Sequence, residues 1–556
     1  MAPGPSSAPR DARARLDFGR VARAAAGLAA FAAASAAGCI YTSDAGLTPP
    51  LTSFYYPTGI VVSPGRSTLY VVNSDFDLQF NGGTVQALDL DQLRPQLVTL
   101  ADAFLAKKSG AEACASIGLA PNDQCLDVPP FLCENDILNP GPCAPILGDP
   151  SNPLVKSYAT IGAFGSGLVL VTNDAGPAAR GARLFVPVRG DPSITYFDVD
   201  DDRDPKNVVH PCGSDFCLDC GGQGSDLRCD GLHKIGQNPY ENTRDLVLPT
   251  EPIGIAASDD GLALVVAHDT VDTVSLSVNS WVSKPSLQFT LPDLPAGPAD
   301  VATIPTAKYI AAALAAPSTS FDYQPGFLVT YRATAELDLM RYASDSVASP
   351  PRPYITRENA YSLTQNQDTR DSRGIVVDQT ERSACEAKCP DGDLQCLATC
   401  LINVPLRVFI ANRAPSSLLV GEITTKLVIS DGGIVTGATD AVNVFRSVPL
   451  DQGPSNVALG QVIDMNGQLQ TRVFVVCFDS RFVFMYDPDA RMVTGTFRTG
   501  RGPQALALDT DANHSFLFVA HFTDSYLGVI DLDERDPTFG NMFASVGEPL
   551  PPKESK

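Results

Sequence analysis

Gly502-Pro-Gln-Ala-Leu-Ala-Leu-Asp-Thr-Asp-Ala-Asn-His-Ser-Phe-Leu-Phe-Val-Ala-His521, continued by Phe-Thr-Asp-Ser-Tyr-Leu-Gly-Val-Ile-Asp-Leu-Asp533, is the stretch from which the fold is read. A Gly-Pro turn opens it. An apolar strand follows, then a polar turn, then a second apolar strand ending on a polar residue. A third strand closes on Asp. Weaker copies begin at Pro57-Thr-Gly-Ile-Val-Val62, Glu251-Pro-Ile-Gly-Ile255, Gly297-Pro-Ala-Asp-Val301 and Gly453-Pro-Ser-Asn-Val457. The second strands of two further units are Arg183-Leu-Phe-Val-Pro-Val188 and Arg407-Val-Phe-Ile-Ala-Asn412. Short runs rich in Val, Ile, Phe and Tyr, bounded by Gly, Pro, Asp and Ser, read as buried strands rather than helices. A recurring unit of three or four such strands defines a β-propeller. Openings near residues 57, 160, 251, 297, 373, 453 and 502 predict an all-β fold of seven blades.

The strand ends Leu69-Tyr-Val-Val-Asn73, Val408-Phe-Ile-Ala-Asn412, Leu264-Val-Val-Ala-His268 and Phe518-Val-Ala-His521 resemble those of YVTN-type repeat propellers, a lactonase-like seven-bladed superfamily. The resemblance covers most of residues 55–547. It implies the fold and leaves the activity open, because that superfamily holds sugar lactonases, dehydrogenase subunits, surface-layer proteins and binding scaffolds. The chain departs from the regular pattern by long insertions that carry cysteines.

The N-terminus has the order of a secretory signal: Arg10, Arg13, Arg15, Arg20 and Arg23, then an Ala-rich run from Ala24 to Ala37, then Gly38-Cys39. The apolar run is shorter than the roughly 20 residues that span a bilayer as a helix. Gly38-Cys39 resembles a bacterial lipobox, which implies that Cys39 is lipid-modified and becomes the first mature residue. Ala36 stands where that pattern usually has Leu, and Ile40 lacks the Asp of an inner-membrane retention signal, so the outer membrane is the expected destination. An ordinary secretory signal with an incidental Cys39 is the alternative. The expected organisation is a signal peptide at 1–38, a lipidated linker at 39–54, the propeller at 55–547 with Cys-rich insertions at 101–156, 206–245 and 380–402, and a tail at 548–556.

The chain of 556 residues carries a net charge of −23. An acidic surface of that size repels nucleic acid and anionic headgroups, so neither is an expected partner. Besides Cys39 and Cys477, the cysteines fall into three groups of four: Cys114, Cys125, Cys133, Cys143; Cys212, Cys217, Cys220, Cys229; and Cys385, Cys389, Cys396, Cys400. Even-numbered clusters behind a secretory signal imply disulfides formed in an oxidising compartment. In the third group, cysteines four apart share a helix face. Two short helices joined at Pro390-Asp-Gly-Asp393 would place Cys385 by Cys400 and Cys389 by Cys396, a spacing that resembles twin CX3C hairpins. A four-Cys zinc site is the alternative there. The second group, with His210 and His233 nearby, is the better metal candidate. Pairing within the first two groups is left open, and Cys477 reads as a buried free thiol.

Catalytic signatures are thin. His268 and His521 hold equivalent repeat positions, and such positions lie on a ring. They are therefore candidate channel residues, either metal ligands or proton donors, or else strand-end residues that bond their own turn. Asp198, Asp200, Asp202 and Asp204 alternate in a loop and offer oxygens to calcium or another divalent ion, though they lack the Gly and Glu of an EF-hand loop. No cofactor is otherwise expected. There is no Gly-x-Ser-x-Gly elbow, His-Glu-x-x-His, Walker A or Cys-x-x-Cys-His motif. The reading is a lipid-anchored extracytoplasmic propeller that binds an envelope protein or glycan, with specificity expected in the stapled insertions. A lactonase-like or dehydrogenase-like enzyme with a metal-assisted channel site is the alternative.

Overall fold

The computed structural model describes residues 46–551, except 135–140, 174–179, 223–226, 306–323, 346–347, 349–351, 365–368, 392 and 430–434. The expected signal and Cys39 lie outside the described residues. Two compact units are separated, Met1–Leu47 and Thr48–Lys556, and the second is the propeller.

Seven antiparallel sheets follow one another along the chain. Blade 1 comprises Pro57–Val62, Thr68–Asn73, Thr84–Asp89 and Val155–Thr160. Blade 2 comprises Val169–Thr172, Ala182–Val188, Ser193–Val199 and a broken outer strand, Leu218–Asp219 with Lys234–Ile235. Blades 3 to 7 occupy 252–291, 298–362, 370–449, 454–498 and 503–546, each in simple four-strand order. The seven expected blades are all present, at nearly the expected openings.

The repeat's Gly-Pro signature has a geometric cause. The residue before the strand-opening proline is left-handed at Gly297 (φ 75°), Gly453 (φ 82°) and Gly502 (φ 63°). Glycine takes that conformation without a Cβ clash. Tyr56 (φ 51°) and Glu251 (φ 56°) adopt it against their preference. Proline then opens the innermost strand, where its missing N–H leaves no ladder bond unmade.

Second and third strands are almost wholly buried, for example Ser515–His521 and Tyr526–Asp531. Their side chains fill the seams between blades, each seam with its own cluster. Leu517, Val519 and Ile530 of blade 7 pack on Phe474 and Val476 of blade 6. Phe409 and Ala411 of blade 5 pack on Val473 and Val475 of blade 6. Each such fully buried side chain contributes about 1.5–3 kcal/mol.

No strand is exchanged at closure: blades 1 and 7 are each continuous in sequence. The first insertion joins them instead. Helix α1 (Leu90–Leu105) is capped by Asp89 and presents Leu90, Leu93, Leu97, Leu100 and Phe104 on one face. Helix α2 (Gly110–Ser116) starts with a capping box, Ser109 and Glu112. Both helices enter a single core with Val71 and Leu88 of blade 1 and Phe516, Phe518 and Phe543 of blade 7. Ile146 then pairs with the outer strand of blade 7, donating to Ser545 O (2.8 Å) and accepting from Gly547 N–H (3.0 Å). The buried carboxylate of Asp509 in blade 7 ties Arg66 (2.6 Å) and Arg94 (2.7 Å) across the same seam.

Six disulfides are formed: Cys114–Cys143, Cys125–Cys133, Cys212–Cys217, Cys220–Cys229, Cys385–Cys400 and Cys389–Cys396. The last two join α3 (Thr380–Glu386) to α4 (Leu394–Asn403) in the expected hairpin. Cys477 is free and buried, and burial pushes its thiol up to about 12.

Candidate functional site

Antiparallel order sends the turns between strands 1 and 2 and between strands 3 and 4 to one face of the ring, and the remaining turns to the other. All three Cys-bearing insertions leave from the first face: α1 and α2 between strands 3 and 4 of blade 1, residues 200–233 after strand 3 of blade 2, and the α3–α4 hairpin between strands 1 and 2 of blade 5. A cavity of about 590 Å³ opens on the other face, lined by first-strand residues of six blades and by residues 164–168, which lead into the first strand of blade 2.

Bulges aim its side chains. Register shifts follow the strand-opening residue at Pro57/Gly59, Pro252/Ile255, Pro298/Val301, Ser372/Gly374, Pro454/Asn456 and Pro503/Ala505. A bulge leaves a residue outside the ladder and re-aims its side chain. Thr58, Arg373, Ser455 and Gln504 line the cavity at these points, and Ile60, Leu168, Ile255, Val457 and Leu506 lie farther down the strands. Gly254 is required by close packing: a Cβ there would sit 2.6 Å from Ala299 O.

Much of the rim is made where second strands end, by the residue after Val188, Tyr331, Asn412, Cys477 or His521. Arg189, Arg332 and Arg413 hold this position in blades 2, 4 and 5, and Phe478 and Phe522 hold it in blades 6 and 7. Each arginine is anchored by an acid: Arg189 by Glu251, Arg332 by Asp269 and Asp371 (3.5 Å), and Arg413 by Asp479. Arg373 pairs with Asp371 (2.6 Å). Phe478, Phe522, Phe76 and Phe164 form an arc, with successive centroids 6.4, 5.2 and 5.8 Å apart, and the arc ends beside Arg189, whose N–H donates to Phe164 O (3.2 Å).

Asp300 is the acid on the cavity wall. It can be reached from the cavity but is otherwise enclosed by protein, and desolvation pushes its carboxyl up to about 7 against the bonds it accepts from Val301 and Ile375 N–H. It is a group able to hold or release a proton near neutrality.

His268 and His521 do not line this cavity. Both are fully buried inside their blades. His268 Nε2 bonds Ser275 Oγ (2.8 Å), and Nδ1 bonds Thr250 O (3.0 Å). His521 Nε2 accepts from Gly500 N–H (3.1 Å), and its ring stacks on Tyr526 at 4.2 Å. Burial lowers the two to about 4 and about 3, so both are neutral. Other blades use the position in the same way: Asn73 bonds Thr84 (3.0 Å), Asn412 bonds Ser372 (3.0 Å) and Tyr331 bonds Asp338 (2.5 Å). The channel reading of these histidines is thus corrected: the strand-end side chain serves the blade, and at His521 it is the successor, Phe522, that lines the cavity.

The loop aspartates do not converge either. Asp198 pairs with Arg183 (2.7 Å), and Asp200 meets His210 (3.1 Å). Asp202 accepts from Ser63, Gly65 and Ser67 of blade 1, and Asp204 from Lys206 and Asn207. Each carboxylate is committed to a different partner, which removes the basis for a shared calcium site. Among the described residues, the one group of metal-type ligands close enough to share an ion is Cys389, Cys396 and Cys400, all in disulfides. His233 bonds Asp230 (2.8 Å) and packs on Tyr196, away from any thiolate set.

Sequence reading missed the rim arginines, the phenylalanine arc and Asp300. The available signal was register: Arg189, Arg332, Arg413, Phe478 and Phe522 each follow the repeat's strand-end position, held by Val188, Tyr331, Asn412, Cys477 and His521, and Asp300 lies two residues after the opening Pro298.

No protein-family model matches the chain, and no curated protein matches it in sequence. Similar solved structures include hydrazine synthase of Kuenenia stuttgartiensis (12% identity, 89% of this chain and 99% of that one, TM-score 0.40). A putative 6-phosphogluconolactonase of Bacteroides fragilis (11%, 81% and 86%, 0.37) and a protein of Lactobacillus plantarum (11%, 82% and 89%, 0.36) are similar too. Likeness at this level carries no argument about activity, and the seven blades stand on their own strand pairing.

Proposed function

We propose that this protein is an envelope binding propeller, tethered by lipid at Cys39, that captures an anionic ligand in the mouth of its channel. One observation carries the reading: a chain of net charge −23 walls its central cavity with four arginines, Arg189, Arg332, Arg373 and Arg413. Each of these guanidiniums is paired with a carboxylate that does not line the cavity, so the mouth offers an anion oriented N–H donors rather than net charge. Its volume falls within the roughly 300–1,000 Å³ of small-ligand sites. Six disulfides favour an oxidising compartment, and no helix among the described residues is long and apolar enough to cross a membrane. An envelope glycan or protein would supply the ligand, at the outer membrane.

Thermal shift tests the reading. Citrate should raise the melting temperature, a neutral polyol of similar size should not, and Arg332→Gln with Arg413→Gln should abolish the rise. An equal shift in the double variant would place the anion elsewhere. For the tether, Cys39→Ser should release the protein from the membrane fraction.

Asp300 favours a second reading, a lactonase-like enzyme using it as general acid or base. Turnover of a sugar lactone that disappears in Asp300→Asn would establish that reading in place of simple capture.

A further inference from the structure

We infer that the mouth takes an acidic saccharide, with a sugar ring laid on the phenylalanine arc and its carboxylate on the arginine arc. This rests on the mouth being the binding site, and it names the ligand's chemistry.

The first support is how the arginines are held. Their partners Glu251, Asp269, Asp371 and Asp479 do not line the cavity although the arginines do, so each guanidinium is held by an acid from outside the wall. A guanidinium has five N–H groups, and Arg413 spends one nitrogen, Nη2, on Asp479. The remaining donors form a planar fork suited to a carboxylate. Anchoring by the acids orients the forks before a ligand arrives, which lowers the ordering cost of binding.

The second support is the division of the rim. Arg332, Arg373 and Arg413 come from blades 4 and 5, whereas Phe478, Phe522 and Phe76 come from blades 6, 7 and 1. The arc is open to solvent, with Phe76 51% exposed. The buried ring of Tyr56 supports it, 5.0 Å from Phe522. The ligand that matches both sectors has a flat C–H face and a charged edge. A pyranose acid has both, since aromatic faces are negative and attract C–H groups.

The third support is the wall. Asn456 and Gln504 line the cavity, and their side chains make no hydrogen bond among the described residues. An amide offers donors and acceptors together, which suits hydroxyls that are themselves both. A polyglutamate peptide would satisfy the arginines but leave the phenylalanine arc and these amides unused.

The test is calorimetric titration of the purified chain with trigalacturonate, its methyl ester and hexaglutamate. Trigalacturonate should bind, more weakly as salt rises. Methyl esterification should weaken binding at least about tenfold, as should Arg332→Gln with Arg413→Gln, because each removes charge-assisted bonds. Phe76→Ala is on an exposed ring and leaves the fold intact; it should weaken binding several-fold. Equal binding of acid and ester overturns the acidic requirement while the mouth stands as the site. Hexaglutamate binding that the arginine variants abolish, without trigalacturonate binding, overturns the saccharide and again spares the site. Binding of no probe, or binding indifferent to every variant, overturns the inference and the site together.

Discussion

The first and third insertions look alike in sequence and do different work. Each has four cysteines, two disulfides and two short helices, and each leaves the same face of the ring. The first is sunk into a core shared by blades 1 and 7 and adds a backbone pairing to the outer edge of blade 7. The third has a small cluster of its own, Ala398 and Leu401 with Leu397, and rests against the third strand, Ser416–Ile429, of the blade that bears it. The second insertion resembles the first: Cys229 N–H donates to Thr160 O of blade 1 (3.0 Å), stitching one seam further on. A staple shows that a loop is held; only the surface it is held against shows whether it closes the ring or is displayed. The expectation that specificity lies in the stapled insertions loses its basis for the first two, which serve as seams.

The comparison breaks most visibly at Asp509. Replacing Arg66 and Arg94 together by Ala leaves that buried carboxylate unpaired in the closing seam, and should cost about 3–5 kcal/mol in chemical denaturation. A loss below about 1 kcal/mol, the worth of a surface pair, would show that the ion pairs do not hold the ring. Next, Cys114→Ser with Cys143→Ser should cost about 2–4 kcal/mol and speed amide exchange in residues 542–546. Cys385→Ser with Cys400→Ser should speed exchange only within 380–403 and leave the propeller's melting temperature unchanged. Equal global losses from the two pairs would erase the distinction between clasp and hairpin.

A smaller effect comes from buried charge. Desolvation raises Asp531 in the blade 7 core to about 7, as it does Asp300. Between the ordinary Asp value of roughly 3.9 and that raised value, the folded state binds more protons than the unfolded one, so stability falls as pH rises. His268 and His521 act in the opposite sense, but only below roughly 6.5, where the unfolded imidazole charges and the buried ones do not. Above that pH the aspartates act alone: the melting temperature should be higher at pH 6.5 than at pH 8, and Asp531→Asn should reduce the difference. A profile that rises through this interval would contradict the assignment. The smallest stability effect belongs to the mouth: Arg332→Gln with Arg413→Gln should alter stability by no more than about 1 kcal/mol per site, as expected of ion pairs at the surface.

Much of the blade plan is legible in the sequence because it is local. Gly-Pro before a strand, polar turns within a hairpin and alternating burial each involve residues a few positions apart. The hairpin disulfides are readable for the same reason, since i and i+4 share a helix face. Helix α1 left its own local trace, Leu90, Leu93, Leu97, Leu100 and Phe104, but the cysteines around it drew the reading toward a loop. The cavity has no local trace. Arg189, Arg413 and Phe522 are hundreds of residues apart, and only closure of the ring sets them around one space. The histidines show the boundary most clearly. Sequence alone placed His268 and His521 at equivalent positions on a ring. Only the tertiary structure decided that those side chains turn into the blade while Phe522, next to His521, turns to the channel, because strand alternation sends neighbours to opposite sides and the ring determines which side is inside.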